Sequence, residues 1–390
     1  MNIIFYRYNS ICEPDYLDAF RKLGINVIED KDGMRKDIDI SEKLTKLGNM
    51  ISDYRPLFIF SINFFPFLSI LCEKLGIIYV AESVDCPVFE IFHTSIRNKV
   101  NRVFLFDRQQ YLSVQSENPG YIFHLPLGAP CERTQALLGD DYKPEYDISF
   151  IGSLYKEKDL FFDLKLPKAE KERFVRIMKE QIAESGSGMK YSEERIDEKA
   201  VSLIKNAAKE FYPSDSSVKN MDRFVALNDY IAPHIAFLER VDILNDIADS
   251  VENAKVHLFT RSDTSDISRK VKLHGGVKSL EEMPFVFRNS KINLNISLRS
   301  IQTGIPQRVW DVLACRGFLI TNDQEEIKDY FTPGVHLETY SSRDELKEKV
   351  RYYLEHEDER LRIAQAGFDE VQRGHTVLLR AAEMIKRAFS

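Results

Sequence analysis

Short unbroken apolar runs punctuate the first third of the chain, at 3–6, 25–28, 57–62, 77–81, 103–106 and 121–125. Between them, apolar residues recur every three or four positions, as at 14–23, 41–53 and 66–75. The first pattern predicts strands buried on both faces, and the second predicts helices. Their alternation predicts a parallel sheet covered by helices on either side.

The pattern breaks at 125–146, LPLGAPCERTQALLGDDYKPEY, where Pro, Gly and charge cluster. A linker is expected there. A new strand is expected at 147–151, opening onto Gly152 and Ser153. Helical spacing then dominates, at 168–184, 193–209 and 235–250, the last with Leu238, Val241, Leu244, Ile247 and Ala248 on one face. The connecting segments ESGSGMKYSEE and YPSDSSVKN read as loops, and the charge runs as solvated helix faces. Strand patterns return at 256–260, 271–273, 292–296, 318–321 and 335–338. Helices are expected at 280–288, 309–314, 325–331 and 343–355, with a terminal helix near 376–389. The fold class is therefore α/β: two doubly wound halves, with a helical elaboration at about 157–232 in the second.

A chain of 390 residues exceeds what one ordinary core serves, in agreement with two domains. A hydrophobic fraction of 44% and a charged fraction of 29% suit a soluble globular protein. The net charge of −7 argues against a protein that coats nucleic acid. The 5 cysteines lack Cys-x-x-Cys spacing and the 8 histidines are scattered, so neither a disulfide framework nor a metal site is expected. The N-terminus lacks the features of a signal peptide. The longest apolar run, at 57–71, is shorter than a bilayer span and contains Asn63 and Pro66. A cytoplasmic location with no membrane span is the expectation.

The chemistry concentrates at 291–322, KINLNISLRSIQTGIPQRVWDVLACRGFLITN. This reads as strand, loop, helix and strand, and it delivers Gln307, Arg308 and Asp311 to the start of a helix. Backbone N–H groups and a cation there can face phosphate, and an acid can face a ribose diol. Other candidates follow strands. Gly152 lets the backbone approach a ligand closely, and Arg261 stands at a strand's C-terminal end. A base for an acceptor hydroxyl is expected at such a strand end, and AESVDCPVFEIFH, after the strand at 77–81, offers Glu82, Asp85 and His93.

The ordered succession of Gly152-Ser153, LHGGV at 273–277, GIPQRVWD, LACRGFLIT and a helical tail resembles the group 1 glycosyltransferases. Within them it resembles the spore maturation protein CgeB-like branch. The likeness is good over 147–151 and 245–388, looser before residue 145, and absent over 154–232. It implies a GT-B architecture of two Rossmann-like domains with an interdomain cleft. The implied boundaries are 1–140 for the acceptor domain and 146–374 for the nucleotide-sugar domain. Residues 375–390 would form a helix crossing back to the first domain, with Leu378, Leu379, Ala382, Ile385 and Phe389 as its apolar face.

The resemblance also assigns roles. The family's Arg-x-x-Glu becomes Arg308 and Asp311 here, for the diphosphate and the ribose, with Asp one methylene shorter than Glu. Gln307 opens that helix. Gly276 and Val277 would meet the base, with His274 beside them. Gly152 and Ser153 match the glycine loop, and Arg261 would add positive charge for the diphosphate. Thr303 and Gly304, with Gln302, would face the donor sugar or phosphate. Asp85, in an Asp-x-Pro element with Cys86 and Pro87, would be the catalytic base; Tyr8 and Asn9 are further acceptor-side candidates. The donor would be a UDP-sugar and the acceptor a protein, a glycan or a small-molecule hydroxyl. No cofactor and no metal is implied, and a homo-oligomer is left open.

Other chemistries fit less well. Cys86 and His93 could form a thiol–base pair, but no other feature supports one. The first strand leads into RYNSICE and not into a glycine fingerprint, which argues against a dehydrogenase. A nucleotide-sugar epimerase on the same fold and a non-catalytic nucleotide-sugar-binding protein are the alternatives.

Overall fold

The computed structural model describes residues 1–139, 142–184 and 188–390. Residues 140–141 of the expected linker and 185–187 of the expected ESGSGMKYSEE loop lie outside the described residues. The chain divides into two compact units. The first comprises Met1–Arg133, Ser216–Lys219 and Gly374–Ser390, and the second Thr134–Asp215 and Asn220–Arg373.

The first unit is built on a six-stranded parallel sheet in the order β2-β1-β3-β4-β5-β6. Its strands are β1 (Asn2–Tyr6), β2 (Asn26–Asp30), β3 (Phe58–Ile62), β4 (Ile78–Ser83), β5 (Asn101–Leu105) and β6 (Ile122–His124). Every residue of the central β3 is buried, as an apolar run covered on both faces should be. The core on one face is aromatic. Phe60 meets Phe5 at 4.8 Å and Phe20 at 4.9 Å, both edge-on. Each fully buried Phe stabilises the fold by about 2–3 kcal/mol relative to exposure.

The Val377–Phe389 helix belongs to this unit and packs on the Glu13–Lys22 helix. Its buried face matches the expected one in part: Leu378 and Ile385 pack half-buried against the core of this unit. Val377, Ala381, Met384 and Ala388 are inside, together with Arg380, while Leu379 and Phe389 are 41% and 42% exposed. The Arg380 guanidinium explains the rotation. It is buried because its Nε donates to the Leu127 carbonyl at 3.2 Å and its Nη2 meets His375 Nδ1 at 2.8 Å.

The second unit has its own six-stranded parallel sheet, β12-β11-β10-β7-β8-β9. The strands are β7 (Tyr146–Ile151), β8 (Val256–Phe259), β9 (Lys272–His274), β10 (Ser290–Asn295), β11 (Leu319–Asn322) and β12 (Glu338–Tyr340). The last strand starts at the end of the expected 335–338 run. Backbone bonds from Val335 and His336 to the Thr332 carbonyl hold the preceding residues in a turn.

The helical elaboration also departs from the pattern. The expected helix at 193–209 is two, Lys190–Arg195 and Glu198–Ala207, because the Asp197 side chain caps a fresh start by accepting from the Ala200 N–H at 2.8 Å. The long Ala232–Ser250 helix is not a one-sided amphipath. Leu238 is half-exposed, while His234, Glu239 and Arg240 are buried with the apolar residues. It is buried on most sides because the Lys168–Ala183 and Arg343–Glu355 helices and β8 all pack on it. Helices without a counterpart in the expected pattern include Cys131–Leu137, inside the linker, and Glu357–Gly374, after the expected helix at 343–355.

Candidate active site

Parallel strands deliver their following loops to one edge of a sheet, and that edge is where open α/β folds bind ligands. In the second unit, four adjacent strands, β10-β7-β8-β9, carry the candidate residues just past their C-terminal ends. Gly152 and Ser153 follow β7, and Arg261 follows β8. His274 ends β9, Gly276 and Val277 come next, and the loop after β10 carries Thr303 and Gly304 into the Gln307–Ala314 helix.

Arg240 ties two of these loops together from below. Its Nη1 donates to the Ser153 carbonyl and its Nη2 to the Ile296 carbonyl, both at 2.6 Å. The guanidinium also lies 4.7 Å from the Tyr155 ring centroid and 5.4 Å from that of Phe150. Burial pulls its pKa below the ordinary value, with Tyr155 and Glu239 opposing. The next side chain back, Glu239, holds Arg299 of the β10 loop at 2.6 Å. Ser153 turns its hydroxyl to Glu157 at 2.6 Å and accepts the Tyr155 N–H at 2.7 Å, so the glycine loop is fixed by its own side chains. Gly152 donates its N–H to the Phe259 carbonyl at 3.1 Å.

On the Gln307–Ala314 helix, Gln307 Nε2 donates to Asp311 Oδ1 at 3.0 Å. Asp311 thus sits one turn into the helix. Arg308 lies against the fold, its guanidinium 4.9 Å from the Phe287 ring centroid and in contact with Met283 Sδ. Burial lowers the Arg308 pKa and Asp311 opposes that shift. The Thr303 hydroxyl turns inward, to Glu326 Oε1 at 2.8 Å. Thr303 and Gly304 are both buried.

Arg261 and Gly276 are neighbours. A Cβ on Gly276 would stand 2.4 Å from Arg261 Cγ, so the absence of a side chain lets the arginine lie across this loop. Val277 is half-buried beside it. His274 is packed into the sheet edge. It stacks on Phe259 with centroids 4.3 Å apart and meets His257 through a 3.0 Å nitrogen–nitrogen contact. Burial, followed by His274, pushes His257 down to about 4, and burial also lowers His274. Near neutral pH both rings are uncharged and can share one N–H.

Asp85 lies in the first unit, beyond β4, and is exposed. Its Oδ2 accepts a 2.7 Å hydrogen bond from Asn63 Nδ2, and Cys86–Pro87 beside it is a cis peptide. Tyr8 follows β1 and its hydroxyl also accepts from Asn63 Nδ2, at 2.9 Å. Asn9 has a φ of 75°. Inside β4, Glu82 is fully buried; burial pushes its pKa up to about 7 while Tyr16 and Arg380 pull the other way.

Two residues escaped the sequence reading. Arg240 carried a signal, a charge in the interior of an apolar helix, where only a paired or hydrogen-bonded cation is tolerated. Asn63 was visible as a polar residue closing an apolar strand. Among the described residues, no group of three or more His, Cys, Asp or Glu is placed to hold a metal ion, and no helix is long and apolar enough to cross a membrane.

Residues 240–386 match the family described as Glycosyl transferase-like. No curated protein matches the chain. Solved structures resemble it over nearly its whole length. A glycosyltransferase from Rickettsia africae ESF-5 shares 10% identity at a TM-score of 0.52, covering 99% of this chain and 97% of its own. Anabaena Alr3699/HepE, solved with UDP, shares 9% identity at 0.52, covering 99% of each chain. Sucrose-phosphate synthase from Thermosynechococcus elongatus shares 10% identity at 0.56, covering 99% and 98%. Likeness at such identities speaks for the fold. Residues 240–386 are thus similar to the Glycosyl transferase-like family, and the chain has the α/β GT-B fold seen in these structures.

Proposed function

We propose that the chain is a glycosyltransferase that takes a sugar from a UDP-sugar and places it on an acceptor hydroxyl. The observation that carries this reading is the convergence at one sheet edge. The Gly152-Ser153 loop, Arg261, the 274–277 loop and the Gln307–Ala314 helix all lie at the C-terminal ends of adjacent parallel strands. Most of them fall in or beside the matched segment. The choice of UDP is supported by Alr3699/HepE, solved with UDP on this fold. The kinship with the CgeB-like branch rests on motif order and is part of the same proposal.

In this reading the Asp311 carboxylate accepts hydrogen bonds from the ribose hydroxyls, held in place by Gln307. The backbone around Gly276 and Val277 meets the base, and His274 supports that loop by packing. Arg261, Arg308 and the N-terminus of the Gln307–Ala314 helix stabilise the negative charge that grows on the departing diphosphate. Gly304 and the backbone of Thr303 line the sugar end. In an inverting transfer, Asp85 takes the proton of the attacking hydroxyl. The acceptor is a hydroxyl of a protein, a glycan or a small molecule.

The direct test is nucleotide release. The protein is incubated with UDP-glucose, UDP-galactose or UDP-N-acetylglucosamine and a panel of glycan and protein acceptors. Release of UDP that depends on the acceptor supports the proposal. Epimer exchange without transfer, or binding without turnover, contradicts it.

A further inference from the structure

Asn63 directly follows β3 in a left-handed conformation, with φ 59°. An L-residue adopts such a backbone at some cost, and Asn is among the few that do so readily. What the conformation achieves is visible in the side chain. Nδ2 donates to Asp85 Oδ2 at 2.7 Å and to the Tyr8 hydroxyl at 2.9 Å. Oδ1 accepts from the Val84 N–H at 3.0 Å and the Ser83 hydroxyl at 3.3 Å. A primary amide has two donor hydrogens and two acceptor lone pairs. Both donor hydrogens are used and Oδ1 holds the Val84 N–H, while the Ser83 hydroxyl divides its one hydrogen between Oδ1 and the Asp85 carbonyl at 3.2 Å, so the amide is engaged by the protein itself.

Its backbone is engaged too. The Asn63 N–H donates to the Glu82 carbonyl at 2.7 Å, and its carbonyl accepts from the Ser61 hydroxyl, also at 2.7 Å. The Ser61 hydroxyl lies 2.7 Å from the Tyr79 hydroxyl, which accepts the Phe65 N–H at 2.9 Å. The amide therefore stands on a buried polar frame at the C-terminal edge of β3 and β4. From that frame it reaches one exposed group, Asp85.

We propose that Asn63 is a positioning residue for Asp85, an amide clamp that fixes the carboxylate in the orientation from which it accepts the acceptor's proton. The inference rests on the reading of Asp85 as the base. With Oδ2 anchored to Nδ2, Oδ1 is left to face the attacking hydroxyl. In the simplest case the acceptor is water. Its oxygen forms a bond to the sugar's anomeric carbon, and the bond from that carbon to the β-phosphate oxygen breaks. The electron pair leaves with UDP, and the water proton passes to Asp85.

The test uses the full chain and UDP release from UDP-glucose, UDP-galactose and UDP-N-acetylglucosamine without added acceptor, following the fastest donor. Asn63→Gly keeps the left-handed backbone, which glycine adopts freely, and removes only the amide. Asn63→Gly is expected to lower kcat by about 10²-fold, the loss that accompanies an ångström of misplacement. KM for the donor and thermal stabilisation by UDP should not change. Asp85→Ala should lose at least as much, and Asn63→Gly/Asp85→Ala no more than Asp85→Ala alone, since a residue that acts through another has no separate effect. Asn63→Asp keeps the shape but sets a second carboxylate against Asp85, and should not restore turnover.

Native kcat in Asn63→Gly, with Asp85→Ala inactive, overturns the clamp and leaves the base standing. Native kcat in Asp85→Ala overturns both. Additive losses in the double variant overturn the clamp by giving Asn63 a role of its own.

Discussion

Gln307 donates from Nε2 to Oδ1 of Asp311 at 3.0 Å, across one turn of the helix that starts at Gln307. The pair sits i and i+4, the spacing that places two side chains on one helix face. The bond fixes the carboxylate's rotation from one side.

Asp311→Ala should therefore weaken UDP binding. Hydrogen bonds to a charged group are worth about 1.5–3 kcal/mol, or roughly ten- to a hundredfold in Kd. Gln307→Ala, which frees the carboxylate without removing it, should cost less than Asp311→Ala. Titration calorimetry with UDP reads both. An unchanged Kd in Asp311→Ala would remove the ribose contact from the account.

Arg240→Ala should destabilise the second unit. It strips the part-buried Ser153 carbonyl and the buried Ile296 carbonyl of their 2.6 Å donors. The loss should be about 1–3 kcal/mol, the scale of leaving one buried acceptor without its donor. Arg240→Lys should recover only part, because one ammonium lacks the planar fork that spans two carbonyls. Urea unfolding with constant m-value checks it.

Gly276→Ala should leave the fold within about 0.5 kcal/mol of native, as most surface substitutions do. It should nevertheless displace Arg261, since the new Cβ would fall 2.4 Å from Arg261 Cγ. If Arg261 holds the diphosphate, Gly276→Ala and Arg261→Ala should weaken UDP binding alike and uridine binding little. Equal losses for uridine and UDP would assign the effect to the base and not to the charge.

Glu82 makes stability fall with rising pH. Its ordinary pKa of 4.5 is raised to about 7 in the fold, chiefly by burial. The folded state therefore holds a proton that the unfolded chain has released between those values, so raising the pH favours unfolding. The contribution is fully present below about 4.5 and is lost as pH rises through about 7. Denaturation midpoints across this window should flatten in Glu82→Gln. An unchanged slope would show that Glu82 does not titrate there.

Much of this was legible because apolar runs bounded by turn residues mark buried parallel strands. The 57–62 run became β3 with all its residues buried. Gly152 and Arg261 were legible as residues just past strand ends, whereas the roles of Gly276 and Arg308 came from the resemblance. What periodicity missed was decided by tertiary bonds. The terminal helix turned its face because Arg380 finds the Leu127 carbonyl inside. The helix around Arg240 is buried on most sides, so no apolar stripe announced its inner face. His274 gave no sign that Phe259 and His257, distant in sequence, would claim its ring.

A uridine diphosphate site on the second unit should show itself in thermal unfolding with UDP, GDP, ADP or NAD in matched excess. A ligand at a hundred times its Kd stabilises the fold by about 2.7 kcal/mol. UDP should raise the melting temperature of the native chain, GDP, ADP and NAD should not, and the rise should shrink in Asp311→Ala. No rise with UDP, or an equal rise with all four, would contradict such a site.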